Sequence, residues 1–173
     1  MKSDKDQLAL PAAANGVRET AGWFVYPFFG IHMLMFGLSG FFMAYSTASP
    51  DLTFLYMHGG IAISVYMVFY LAIFGLDEVT WMLVNAGLGI LGIYAQVGWV
   101  LARFGRHIDD YPWQVHVVPF LYYVLYTFLL RQFLIDLTRS RNNPGRRALV
   151  NNAYVLVSLL VYGLMFWRMQ EVG

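Results

Sequence analysis

Residues 79–102 read VTWMLVNAGLGILGIYAQVGWVLA, an unbroken run without a charged side chain. At about 1.5 Å per residue, a helix of that length reaches about 36 Å, enough to cross the roughly 30 Å hydrocarbon core of a bilayer. The polar residues within it are ordered. Asn85, Gly89, Gly92 and Gln96 stand at i, i+4, i+7 and i+11, which makes one small, hydrogen-bonding stripe on a helix whose other faces are aliphatic or aromatic. Hydrocarbon offers backbone polar groups no partner, so a spanning run satisfies them internally as a helix, and its polar stripe turns toward a neighbouring helix.

Similar runs lie on both sides. Gly22 to Tyr45 and Leu52 to Leu76 precede it without a charge, separated by the turn chemistry of Ser46-Thr47-Ala48-Ser49-Pro50-Asp51. Asp77 and Glu78 then stand in what reads as a tight hairpin turn. After the polar break from Arg103 to Pro112, Trp113 to Leu130 is uncharged and continues through Arg131 and Gln132 to Leu137. The break Arg139 to Arg147 contains Asn-Asn-Pro-Gly, and Leu149 to Trp167 closes the chain. The predicted fold is an all-α, polytopic transmembrane helix bundle with five spans at about 22–45, 52–76, 79–102, 113–137 and 149–167. Asn151 and Asn152 shorten the last apolar run, leaving a four-span bundle with an interfacial final helix as the alternative. Pro27 and Pro119 are expected in the first turns of their helices, where a missing N–H is tolerated.

Composition agrees. Of 173 residues, 59% are apolar and 12% charged, against about 25% charged in soluble domains. A net charge of +1 supplies no field for a polyanion, which removes nucleic acid as a partner, and the absence of cysteine removes disulfides and thiolate metal sites. Residues 1–20 lack a signal-peptide core and read as a cytoplasmic tail, with 21–173 forming one helical domain. With the N-terminus inside, Lys2, Lys5, Arg18, Arg139, Arg141, Arg146 and Arg147 share the inner side, against Arg103, Arg106 and Arg168 outside. The positive-inside rule therefore predicts N-in, C-out, in a bacterial inner membrane. Trp23 and Trp81 fall at inner ends, and Tyr56, Trp99, Trp113 and Trp167 near outer ends, as interfacial belts.

Candidate sites follow from polar residues inside the spans. His116, Tyr123, Thr127 and Arg131 occur at i, i+7, i+11 and i+15 on the fourth span. Arg131 is expected to snorkel to the inner interface or to pair with Asp77, Glu78 or Asp136. His58 and His116 lie at similar depth, roughly 6–9 Å below the outer end, with Gln96 close to that level and His32 near mid-membrane. Two imidazoles at one depth are the minimum for bis-histidine ligation of haem b, and Gly59 and Gly60 would let a macrocycle approach. Arg131, about 22 Å deeper, cannot reach such a haem. The competing reading makes each imidazole an interhelical hydrogen bond. His107, Asp109 and Asp110 form a loop group with weak cation-binding character.

Hydrolase and nucleotide motifs are missing: no Walker loop, dinucleotide fingerprint, His-Glu-x-x-His or Gly-x-Ser-x-Gly. Ser39, Ser64 and Ser158 read as hydroxyls bonded back to the preceding turn. The leading expectation is a non-catalytic membrane subunit or accessory factor, with the bilayer, other membrane subunits or further copies of itself as partners. The alternative is a redox protein holding haem b or quinone through His58 and His116, with Gln96 and Tyr123 as polar contacts. A third is a small transporter in which the two polar stripes, with Asn85 and Arg131 among them, face each other.

Overall fold

The computed structural model describes residues 13–170, with side chains described from 24 to 168. The described residues form helices joined by short turns, without strands, and contain five helices long and apolar enough to cross a membrane. They are α1 (Ala13–Tyr45), α2 (Leu52–Phe74), a single turn α3 (Leu76–Val79) running into α4 (Trp81–Ala102), α5 (Trp113–Leu137) and α6 (Pro144–Gln170). A short 3₁₀ turn, Ile108–Asp110, lies between α4 and α5. Trp23, Lys2, Lys5 and Arg18 lie outside the described side chains.

Local chemistry sets the helix ends. Asp51 accepts the Phe54 N–H at 3.0 Å, satisfying one of the orphan donors at the start of α2. Pro144 opens α6, where its missing N–H costs nothing, and the preceding Asn143 accepts the Arg146 N–H at 3.0 Å. The break before α6 is therefore shorter than the sequence suggests. α2 stops at Gly75, whose φ of 84° puts it where a side chain is disfavoured, and its N–H still closes the last turn on the Leu71 carbonyl at 3.1 Å. That one residue makes the hairpin. Asp77 and Glu78 consequently sit on a helical turn rather than in a loop. α1 begins upstream of the apolar run, so Pro27 lies well inside its helix instead of in a first turn.

α5 organises the bundle. It is 61% buried over its membrane-length window, against 17–33% in the others, and it packs on α1, α2, α4 and α6. Across the described residues, α1 pairs with α2 and α4 with α6, while the α1 and α4 backbones stay more than 8 Å apart at every Cα. The α1–α2–α5 interior is aromatic: Phe29, Tyr70, Phe74 and Phe128 stack tilted or edge-on at 5.3–5.8 Å. The buried polar side chains Asn85, Thr127, Arg131 and Asn151 lie on α4, α5 and α6. Outward faces carry Phe24, Leu83, Leu149 and Trp167 largely exposed, the pattern of helices whose outer solvent is lipid. α6 packs against α4 and, despite Asn151 and Asn152, is itself long and apolar enough to cross a membrane.

Candidate functional site

Three assemblies occupy the bundle, two polar and one a groove with largely apolar walls. The first lies at the end that holds the α5–α6 loop. Arg131 on α5 is fully buried, with Nη1 donating to Glu78 Oε2 at 3.1 Å and Nε to Asn151 Oδ1 at 3.0 Å. The Trp81 indole stacks 4.1 Å from its guanidinium carbon. Gln132 Nε2 donates to the same Glu78 oxygen at 2.9 Å, and Arg147 donates to the other. Arg141 joins this hub to a second acid through Asp136 Oδ1 at 2.6 Å and Gln132 Oε1 at 3.1 Å, and the Tyr26 hydroxyl donates to Asp136 from α1. Side chains from α1, α5, α6 and the α5–α6 loop thus meet at two carboxylates, Glu78 on α3 and Asp136 on α5, with Trp81 of α4 against Arg131. The snorkelling expected of Arg131 does not occur, because Glu78 is held beside it by the helical turn that Gly75 initiates. Trp81, half-buried, covers one face of that guanidinium.

The second assembly closes the opposite end. Arg106 Nη1 donates to the carbonyls of Tyr45 and Ser46 at 2.5 and 3.3 Å and to the Tyr111 hydroxyl at 3.0 Å, and Tyr111 donates to Tyr45 O at 3.1 Å. A cation at the last carbonyls of α1 satisfies orphan acceptors and complements the helix dipole. Tyr45 shares a 2.7 Å hydrogen bond with His116 Nδ1. Asp110 accepts the His107 N–H at 2.7 Å, which gives this loop carboxylate a capping role.

The histidines go separate ways. Ser39 donates to the Phe36 carbonyl at 3.0 Å, so the 3.0 Å contact between Ser39 Oγ and His58 Nε2 carries the imidazole hydrogen. His58 is therefore tied to Ser39 and His116 to Tyr45, two sites about 9 Å apart along α1. Gly59 offers no space to a flat macrocycle, since a Cβ there would collide with Val118 Cγ1, with Cγ2 at 3.1 Å. It is a close-approach site for α5. His32 bonds its own helix at Phe28 O, 2.7 Å away.

The two stripes face each other in part. Gly89 and Gly92 form a notch filled by Tyr123, whose hydroxyl meets that of Tyr162 on α6. Thr127 bonds back to Tyr123 O at 2.9 Å, and Tyr154 from α6 donates to Thr127 O at 3.3 Å. His116 leaves this face for α1.

The third assembly is a groove of about 290 Å³ in the gap between α1 and α4, floored by α5. Met33, Gly37 and Phe41 line one wall, Ile93, Gln96 and Val97 the other, and Pro119, Tyr123 and Tyr126 contribute from the floor. Counting residues from the ends of α4 and α5, the groove runs from about 3 to 20 Å below the end that holds the α4–α5 loop. Gln96 and Tyr123 therefore do come together, while His58 and His116 do not line the groove. Gly37 faces open space, with nothing within 4 Å of a Cβ placed there. The signal that could have found this site is the small residue Gly37 at the depth of Gln96. No family model, curated protein or solved structure matches the chain.

Proposed function

We propose that this chain is a non-catalytic integral membrane protein that holds a lipid-soluble molecule in the groove between α1 and α4, in an accessory role beside larger membrane partners. The groove carries the reading. Its volume lies close to the lower bound of about 300 Å³ for small-molecule sites, and its walls are apolar except for the Gln96 amide and tyrosine rings. An occupant entering sideways from the bilayer would present a hydrocarbon or ring body to Met33, Phe41 and Val97. Its single hydrogen-bonding group would face Gln96. Lipid acyl chains and quinone-type rings share this chemistry. The four arginines of the α5–α6 region, Arg139, Arg141, Arg146 and Arg147, favour the inner side for that end, and on this reading the groove would open to the outer leaflet.

The test is extraction and mass spectrometry of the protein purified in mild detergent, beside Gly37→Phe, whose ring would fill the groove from α1. One apolar molecule per chain, lost in Gly37→Phe at unchanged folding, is the expected result. Identity of the extracted species separates an acyl lipid from a quinone. Equal lipid content in both proteins refutes the proposal.

A further inference from the structure

The α4–α5–α6 interior contains a defect that none of the assemblies above repairs. Asn85 is 1% exposed, and among the described residues neither its Oδ1 nor its Nδ2 has a hydrogen-bond partner; Arg131 Nη2, on a fully buried side chain, has none there either. These orphans share one seam. Trp81 stacks on Arg131 and Gly89 abuts Tyr123 and Val124, so α4 and α5 run antiparallel with Asn85, one turn from each of those contacts, opposite the turn of Thr127. Asn85 thus faces α5 next to the turn that carries Arg131. Leaving three such groups bare in a low-dielectric interior is costly, and native structures avoid it.

We infer that a water molecule is bound in this seam, accepting from Arg131 Nη2 and Asn85 Nδ2 and donating to Asn85 Oδ1. The donor and acceptor inventory selects water over its rival. Glu78 carries one negative charge against Arg131 and Arg147, so the hub has an excess positive charge that would attract a halide. A halide accepts from both donors but leaves Asn85 Oδ1 bare. Water satisfies all three atoms with two accepted bonds and one donated, the usual valence of a buried water. The site is built: α4 supplies the amide, α5 the guanidinium, and Asn151 of α6 pins the guanidinium by its Nε.

The experiment uses the full chain in detergent, labelled with ¹⁵N-asparagine, with the Asn85 side-chain signal assigned by its loss in Asn85→Leu. A direct cross-relaxation peak between bulk-exchanging water and the Asn85 Nδ2 hydrogens is expected, and its absence would overturn the inference. Stability supplies an independent sign. If water satisfies Asn85, leucine there expels it and strips Arg131 Nη2, so the unfolding midpoint falls by about 3 °C or more. A dry orphan amide predicts a rise instead, because an apolar side chain then replaces an unpaired polar one. A rise would overturn the inference. Exchanging chloride for gluconate at constant ionic strength should leave the wild-type midpoint unchanged. A drop in gluconate that Asn85→Leu abolishes would assign the site to an anion.

Discussion

Replacing Glu78 by glutamine removes one charge from the point at which α3, α5 and α6 converge. Its carboxylate accepts from Arg131 at 3.1 Å, from Gln132 at 2.9 Å and from Arg147, and its side chain is only 9% exposed. In Glu78→Gln one acceptor oxygen becomes an NH₂ that meets donors, and Arg131 is left as an uncompensated buried cation. Breaking a buried ion pair by removing one partner costs about 3–5 kcal/mol. Arg147 adds little, since its side chain is 32% exposed and its charge can turn to solvent, where such pairs contribute about 0–1 kcal/mol. Against a total stability of about 5–15 kcal/mol, the single substitution should remove about a fifth or more. SDS titration in mixed micelles, followed by tryptophan fluorescence, measures it. Glu78→Gln combined with Arg131→Met should recover most of the loss, because the charge that lacked a partner is gone. A single variant within 1 kcal/mol of wild type, or a double variant worse than the single, refutes this account of the hub.

Gly59→Ala should destabilise the bundle by about 1–3 kcal/mol, since the new Cβ meets the stiff Val118 side chain, and Val118→Ala should relieve it in a double-mutant cycle with coupling above about 0.5 kcal/mol. Additive effects would show that the helices simply part. Arg106→Gln should cost about 1.5–3 kcal/mol through lost charged hydrogen bonds to Tyr45, Ser46 and Tyr111. Hydrogen exchange should accelerate around residues 42–46 and 103–111, and protection unchanged there would contradict the assigned clamp.

Membrane-length helices were legible wherever hydrophobic runs were long, because hydrocarbon forces helix and charge marks the ends. The stripe of Asn85, Gly89 and Gly92 on one face of α4 was legible too, since spacing alone puts small and polar residues together. Pairings were not. Glu78 stood among several acids open to Arg131, and nothing in the order of residues chose it until Gly75 closed the hairpin and turned α3 inward. Asn151 read as a flaw in an apolar run, yet its Oδ1 accepts from Arg131 Nε. His58 and His116 read as lying at one depth, because counting residues gives only the approximate level of each Cα. Their side chains reach partners on α1, Ser39 and Tyr45, about 9 Å apart along its axis.

By itself, then, the sequence determined an all-helical chain with five segments able to cross a membrane and polar stripes on two of them, because the periodicity of a single helix and the thickness of a bilayer are local constraints. Tertiary structure alone decided that α5 lies at the centre, that α1 and α4 stand apart over a groove, and that Arg131 is buried against Glu78. Those outcomes depend on which helix faces meet. In lipid that choice is made by close packing at residues such as Gly59 and Gly92 and by mutual satisfaction of polar groups, and both are properties of pairs of helices rather than of any one of them.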